Sequence, residues 1–287
     1  MPAVVGGLEL GATFALVGLG LVLAYRATDT INFAHGELML LGAYVVGRWN
    51  ARGAYAFIWS VAVSLVIVAL LGALLFRAIL QRTVGLPPFV PIVATLGFAS
   101  IADGVMNLIF GSQQYTITIP GAPTGSLHLA GATFGSNGVV LATVSYAIAI
   151  GVVLLMRFTG VGMRVRQAGQ NALLASQGGT NVRRVYLLSW ATAAALAALA
   201  GITYGSTNVV NPAMEELAFL ALPAILLGGL DSMFGAIVGG VLIGLLQSFI
   251  STYWNGAYVS VSTYTVLLLV ILVRPQGILG TRQVARV

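Results

Sequence analysis

Three polar side chains interrupt an otherwise apolar stretch near the N-terminus, Ile31–Tyr44: these are Asn32, His35 and Glu37. An ionisable group that faces hydrocarbon is costly in free energy. We therefore expect these groups, with the intervening Gly36, to face the interior of a helix bundle, a partner or water. Asn32 and His35 are three residues apart and would share one face of a helix, whereas Glu37 would point elsewhere. The pattern predicts either the lining of a solute path or a hydrogen-bonded lock between helices.

A second polar pair, Asp103 and Asn107, lies one helical turn apart inside another apolar stretch. Because a carboxylate within a membrane span is a functional candidate, we include both residues in the candidate path. A helix-to-helix hydrogen bond would explain them equally well. Glu215 and Glu216 open a later apolar stretch, where the positive end of a helix dipole would stabilise their charges.

Residues needed for most catalytic mechanisms are missing from the sequence. The absence of Cys excludes disulfides and thiolate chemistry. There is no Lys, which a phosphate-binding loop of the Walker type requires. The two histidines, His35 and His128, have no partner at a metal-binding spacing. The sequence therefore predicts that the chain is not an enzyme and carries no cofactor of its own.

The composition predicts that lipid surrounds most of the chain. Of its 287 residues, 59% are hydrophobic and 7% charged, and the mean hydropathy is +0.99. Soluble domains carry about 25% charged residues, so we expect an all-α transmembrane bundle forming one domain over residues 1–287. Stretches of suitable length predict about nine spans, with a range of roughly eight to ten. The stretches are 5–25, 31–47, 55–76, 88–110, 139–156, 185–205, 216–230, 233–250 and 257–273.

The basic residues predict the orientation of these spans. All 13 of them are arginines. With the N-terminus outside and every predicted span crossing, all but Arg48 and Arg52 fall on the inner side, as the positive-inside rule requires. The net charge of +6 thus indicates membrane orientation and not nucleic-acid binding. Loop 157–184 would lie inside and loop 112–138 outside, where the run Tyr115–Ile119 predicts a short strand.

The inner loop predicts a short helix from Met163 to Gln177, ended by Gly178 or Gly179. Alanines recur along it at spacings of four and three, which places them in one stripe. A helix this short is unstable alone, so we expect it to dock in the groove of a partner; an interfacial helix is the alternative. The residues expected at the docking surface are Arg164, Arg166, Gln167, Ala168, Asn171, Ala172, Ala175 and Gly178.

Small residues recur one turn apart in two of the later spans and predict close helix packing. The pairs are Ala197 with Gly201, Gly235 with Gly239, and Gly240 with Gly244.

The motif Asn-Phe-Ala-His-Gly-Glu at 32–37, followed by Leu-Gly-Ala-Tyr at 41–44, resembles the signature of the LivH-type permeases of branched-chain amino acid ABC transporters. The resemblance covers nearly the whole chain, through the segments 11–26, 197–201, 228–229, 234–240 and 274–280. Asp231 and Phe234 stand where the family commonly has glycine and proline, and the inner loop lacks an acidic residue often found near Gln170.

This resemblance implies an importer subunit in the cell inner membrane that moves branched-chain or other apolar amino acids. Its partners would be a second permease subunit or copy, two cytoplasmic ATP-binding subunits that hydrolyse ATP, and an extracytoplasmic solute-binding protein. The helix predicted from Met163 would be the coupling helix that contacts the ATP-binding subunits. Loop 112–138 would form part of the docking surface for the binding protein.

Three alternatives remain open at this point. One is an ABC permease for urea or short amides. Another is an ion-coupled secondary carrier that uses Glu37, Asp103 and His35 as a relay; such carriers often contain paired broken helices, which are suggested here only around Pro223 and, more weakly, by the prolines at 87–91. The third is a membrane scaffold without transport, against which the polar residues inside the spans argue.

Overall fold

The computed structural model describes residues 2–49, 53–87, 89–120, 126–129 and 132–280. Within them the chain forms a helical bundle with one small antiparallel hairpin. The helices are α1 (Pro2–Thr28), α2 (His35–Trp49), α3 (Ala54–Ala78), α4 (Phe89–Phe110), α5 (Ser136–Phe158), α6 (Gly160–Gln170), α7 (Ala172–Gln177), α8 (Val182–Gly205), α9 (Leu217–Gly228), α10 (Met233–Tyr253) and α11 (Tyr258–Val273), with 3₁₀ helices at Leu80–Arg82 and Pro212–Glu216. The hairpin pairs β1 (Ser126–Leu129) with β2 (Ala132–Gly135).

Helix α1 lies at the centre of the bundle. Every residue from Gly11 to Ala24 is buried, and the helix packs against α5, α8, α9 and α10. A helix that is apolar all round has no face for solvent, so α1 forms the core on which the other helices assemble.

Glycines bring the backbones of neighbouring helices into contact, as their spacing predicts. A Cβ atom on Gly240 would lie 2.7 Å from the backbone nitrogen of Ala15, and one on Gly244 would lie 2.5 Å from Cα of Gly11. On α8, Gly201 leaves room for a backbone carbonyl of α2. Without side chains at these positions, α10 approaches α1 and α8 approaches α2 closely enough for extensive van der Waals packing.

Arginines mark one end of the bundle. Helices α1, α3 and α5 end there, and α8 begins there, antiparallel to α1. The Trp190 Nε1 atom near the start of α8 donates a hydrogen bond to Thr28 Oγ1 at the end of α1, at 3.2 Å. The arginines in these terminal turns are Arg26, Arg77, Arg157, Arg183 and Arg184. We refer to this as the arginine-rich end and to the other as the opposite end; Arg52, Arg282 and Arg286 lie outside the described residues.

Two short helices, α2 and α9, meet N-terminus to N-terminus inside the bundle. Gly36 in the first turn of α2 has no room for a Cβ atom beside the carbonyl oxygen of Glu215, which precedes α9. The neighbouring His35 lies against Gly20, well within α1. The junction therefore lies inside the bundle, and neither α2 nor α9 alone spans the bundle from end to end.

From this junction the two helices run in opposite directions. Helix α2 reaches the opposite end, where Gly47 contacts Tyr115. Helix α9 reaches the arginine-rich end, where Gly228 contacts Gly235 near the start of α10. The C-terminal segment folds over this end of α9, and Ile278 donates its N–H to the carbonyl of Leu227 at 2.7 Å, which satisfies an otherwise unpaired helix carbonyl.

Among the described residues, six helices are long and apolar enough to cross a membrane unaided, namely α1, α3, α4, α5, α8 and α10. The expectation of about nine spans is therefore not confirmed. Helices α2, α9 and α11 have 15, 12 and 16 residues, whereas a full crossing needs about 20. The expectation of a short or half helix around Pro223 is met by α9.

The strand predicted at Tyr115–Ile119 is wrong, since only Tyr115 forms an isolated bridge, with Val210. Ile117 is instead buried, and its N–H donates to the carbonyl of Gly205 at 3.0 Å. The segment covers the end of α8 because its apolar side chains pack there. Residues 121–125, 130 and 131 of the predicted outer loop lie outside the described residues.

Candidate functional site

The turn before α2 contains Asn32. Its Oδ1 atom accepts a hydrogen bond from the N–H of Ala34 at 3.1 Å, and its carbonyl accepts one from the N–H of His35 at 3.3 Å. This is an Asx turn that leads into the helix. The prediction that Asn32 and His35 share a helical face is therefore wrong, because α2 begins only at His35.

The His35 ring points towards α1. Its side chain is only 1% exposed, and a Cβ atom on Gly20 would lie 2.6 Å from His35 Cε1. The ring interacts with the backbone of Val17, but neither ring nitrogen makes a hydrogen bond of good geometry with the described residues. Gly20 thus provides the space that the imidazole fills, on the side of α2 away from Glu37.

Three carboxylates meet beside the α2–α9 junction. One oxygen atom from each of Glu37, Asp103 and Glu215 lies within 4.8 Å of the other two. The Oε2 atoms of Glu37 and Glu215 are buried and have no hydrogen-bond partner among the described residues. The Nδ2 atom of Asn107 donates to Asp103 Oδ1 at 2.8 Å. Two predicted path residues, Glu37 and Asp103, are thus brought together, with Asn107 supporting one of them.

The sequence pattern did not identify Glu215 as a member of this group, or Tyr44 as its electrostatic neighbour. Glu215 lies at the entrance to α9, as expected for a helix N-terminus, but its proximity to Glu37 arises only when α2 and α9 meet. Tyr44 lies two turns after Glu37 on α2, and its ring stacks on Phe110 at 4.6 Å. Its spacing of seven residues from Glu37 places both on one helical face, a signal that could have found it.

A cavity of about 520 Å³ opens towards the opposite end of the bundle. Its walls include Glu9 and Thr13 on α1, Tyr204 on α8, Leu217 on α9 and Gln247 on α10. Small-molecule sites typically measure about 300–1,000 Å³. The sequence pattern missed this group too, although Glu9 is a carboxylate inside an apolar helix.

The predicted single helix from Met163 to Gln177 is wrong, because the chain forms α6 and α7 with a break at Asn171. The backbone of Asn171 is extended, with φ −158° and ψ 100°, and its Oδ1 atom accepts the N–H of Leu174 at 3.0 Å. It is the N-cap of α7, a position that asparagine favours. Helix α7 ends as predicted, at Gly178 and Gly179, and Gly179 has the positive φ of 80° that glycine adopts at helix ends.

Two of the three alanines in the predicted stripe face the chain's own helices, whereas Ala172 is exposed. Ala168 is 1% exposed and Ala175 is 7% exposed, because both pack against the chain's own helices. Small side chains allow close packing on either side of a short helix, and those of Ala168 and Ala175 pack against the chain itself. On α7, the exposed apolar side chains are those of Ala172, Leu173 and Leu174.

Helix α6 is seated on the ends of longer helices. Gly169 lies against the backbone carbonyl of Arg26 at the end of α1. Arg166 is half-buried, and its guanidinium donates to the carbonyl of Met156 at the end of α5, at 2.7 Å. Arg166 therefore anchors the loop to its own chain. The remaining predicted docking residues, Arg164, Gln167, Asn171 and Gly178, are exposed.

Residues 3–273 match the family described as the branched-chain amino acid transport system permease component. The chain is 28% identical to the high-affinity branched-chain amino acid transport system permease protein LivH of Salmonella typhimurium, over 98% of this chain and 96% of that protein. It is 28% identical to the permease protein BraD of Pseudomonas aeruginosa, over 99% and 96%. It is also 28% identical to the probable permease protein LivH of Methanocaldococcus jannaschii, over 96% and 91%. No solved structure matches the chain.

Proposed function

This chain belongs to the family of branched-chain amino acid transport permeases, and from that membership we propose that it is the membrane subunit of an ATP-driven importer for branched-chain or other apolar amino acids. The observation that carries the proposal is the match along residues 3–273, together with six apolar helices that make the chain a multi-pass membrane protein. The inner membrane of the cell is the proposed location.

The α2–α9 junction supports a solute path through the bundle. Interrupted helices place helix ends and irregular backbone near the middle of the membrane, where they can contact a transported solute. The proposed path begins at the cavity beside Glu9 and passes the first turn of α9. Its inner part is formed by the predicted residues Asn32, His35, Gly36, Glu37, Asp103 and Asn107, with Glu215 added.

The exposed face of α7 supports coupling to a separate ATP-binding subunit. Leu173 and Leu174 are 67% and 62% exposed at the arginine-rich end, where the positive-inside rule puts the cytoplasm. A partner that binds there would push on α6, which rests on the ends of α1 and α5. Movement of the partner would thereby reach the central helix α1 and shift the bundle between two arrangements.

The proposed partners supply the functions that a single permease subunit lacks. The sequence has no Lys and so no Walker-type phosphate loop; two ATP-binding subunits would supply ATP hydrolysis. A second permease subunit, or a second copy of this chain, would complete the membrane part. A solute-binding protein would deliver the solute at the opposite end, in part through residues 112–138.

Uptake into proteoliposomes tests this function. The chain is reconstituted with a second permease, the ATP-binding subunits and the binding protein encoded beside it, and uptake of labelled L-leucine is measured with ATP inside the vesicles. We expect uptake that requires ATP and is competed by isoleucine and valine but not by urea. Uptake of urea in place of leucine would support the short-amide alternative.

An ion-coupled carrier is the second candidate, favoured by one observation, the group of carboxylates at Glu37. The relay expected for such a carrier also used His35, which lies against Gly20 and not among the carboxylates. The same vesicles separate the two functions. Leucine uptake by this chain alone, driven by a sodium or proton gradient without the ATP-binding subunits, would replace the importer with the carrier.

A further inference from the structure

The group of Glu37, Asp103 and Glu215 is assembled from three elements that are distant in sequence. Glu37 lies in the first turn of α2, Asp103 in the middle of α4, and Glu215 in the 3₁₀ helix before α9. One oxygen atom of each lies within 4.8 Å of the others. Such a distance brings three acidic groups into a space that one small ligand can span.

Polar atoms in this space lack partners. Glu37 is 9% exposed, and the Oε2 atoms of Glu37 and Glu215 are buried without a hydrogen bond from the described residues. The Tyr44 hydroxyl is likewise buried and unpartnered, and it interacts electrostatically with Glu215 and Asp103. Buried polar atoms in proteins are almost always hydrogen-bonded. Three carboxylates that lie within 4.8 Å of one another and carry two buried, unpaired oxygen atoms, with an unpaired hydroxyl in electrostatic range, therefore point to a ligand with positive charge.

No protein cation balances the carboxylates within the described residues. The nearest arginine on the same helix, Arg48, donates to the carbonyl of Ile109 at 3.2 Å and lies over the Phe110 ring at 5.6 Å. The N-terminal dipoles of α2 and α9 favour negative charge, but each supplies only a partial positive charge. Neighbouring carboxylates that are removed from water repel one another strongly, so either protons or a bound cation must compensate them.

A bound cation accounts for more of the observations than protons do. A proton shared by Glu37 and Glu215 would pair those two groups only, and would leave the charge of Asp103 uncompensated, because the hydrogen bond that Asp103 accepts comes from the neutral amide of Asn107. Hard metal cations bind through several carboxylate and neutral oxygen atoms at once. An ammonium group offers three N–H donors, one for each carboxylate.

We propose that Glu37, Asp103 and Glu215 form a binding site for a small cation. Two sources share this chemistry. One is an inorganic cation such as Na⁺ or Ca²⁺. The other is the ammonium group of the transported amino acid, and this second source rests on the proposed function.

Thermal unfolding of the full chain in detergent tests the site. Midpoints are measured in choline chloride and, at equal ionic strength, with NaCl or CaCl₂. A parallel pair compares L-leucine with 4-methylpentanoate, which has the same branched carbon chain and carboxylate but no amino group. A cation present at 100 times its Kd should raise the wild-type midpoint by about 5–10 °C.

Matched variants assign the effect to the site. We expect Glu215→Gln to abolish the rise, because one of the three charges is lost. Glu216→Gln is the control, since Glu216 is the next residue, has the same chemistry and is exposed; it should keep the rise. Asp103→Asn, on the peripheral helix α4, replaces Glu215→Gln if that variant does not fold.

Each outcome bears on the proposal. A rise with Na⁺ or Ca²⁺ that is lost in Glu215→Gln supports the site and assigns it to an inorganic cation. A rise with leucine but not with 4-methylpentanoate supports the site and assigns it to the ammonium group. No rise with any of these, or an equal rise in Glu215→Gln, overturns it. ATP-driven uptake is measured separately. Uptake without a cation-dependent rise in the midpoint would show an importer that lacks this site, and a rise without uptake would show the site in a protein that is not an importer.

Discussion

Truncation of Leu173 and Leu174 to alanine measures how much the proposed docking face contributes to binding of the ATP-binding subunit. Each leucine has three carbon atoms beyond the Cβ of alanine, and burial of each is worth about 0.8 kcal/mol. The side chains are 67% and 62% exposed in the free chain, so a partner that covers them fully removes about two-thirds of that surface from water. The estimate is about 1.5 kcal/mol per leucine, or about 3 kcal/mol for both.

A loss of about 3 kcal/mol corresponds to a Kd roughly 100-fold higher. The assay is biolayer interferometry with the purified permease in detergent and the isolated ATP-binding subunit without nucleotide. The double variant Leu268→Ala and Leu272→Ala is the matched control, because these leucines are also exposed but lie on α11, at 59% and 72%. A Kd of the Leu173 and Leu174 double variant within about twofold of the wild-type Kd would refute the docking face. The thermal unfolding midpoint of the variant is measured as well, and a midpoint equal to that of the wild type shows that the variant is folded.

Three further predictions concern the path, the packing and the kinked loop. Glu37→Ala should lower ATP-driven leucine uptake by on the order of tenfold or more while the complex still assembles, whereas the exposed Glu216→Ala should leave uptake unchanged; equal uptake in both would remove Glu37 from the path. Gly240→Ala should destabilise the chain by about 1–3 kcal/mol, because the added Cβ atom meets the backbone of α1. Gly151→Ala is the control: Gly151 has open space around it, so this variant should stabilise the chain by about 0.5–1 kcal/mol. Thermal unfolding midpoints in the reverse order would contradict the packing. Asn171→Ala should destabilise α7 by about 1 kcal/mol, seen as faster amide hydrogen exchange over 172–177, and an unchanged exchange rate would mean that the N-cap is dispensable.

The expected class of protein followed from features that are local in the sequence. Long apolar stretches with few charges predict membrane helices wherever they occur, because hydrocarbon excludes unpaired backbone and charged groups. The glycine spacing on α10 predicts close contact because two glycines one turn apart share a helical face. The unequal distribution of arginines between the two sides of the membrane can likewise be predicted from the order of spans and loops along the sequence. Each of these patterns depends on neighbouring residues and not on which helices meet.

The break at Asn171 and the inward-facing alanines show where local patterns are insufficient. An asparagine inside a short polar helix is compatible with either a helix interior or an N-cap. Tertiary packing decides between them. Helix α6 packs on the ends of α1 and α5 with Ala168 facing the protein. The helix ends there, and α7 begins as a separate helix after Asn171. Small residues on a short helix do not indicate which side faces a partner, and in the folded chain Ala168 and Ala175 face its own helices.

The sequence alone determined that this protein is a membrane permease built from apolar helices, that most of its arginines lie at one end, and that polar groups such as Glu37 lie inside. Only the tertiary structure decided that α2 and α9 stop short and meet, and that Glu215 and Asp103 join Glu37 there. The physical reason is that helices such as α1 are apolar on every side. Their sequences therefore do not specify rotation or depth, and these are set by which glycines and side chains fit together across the bundle.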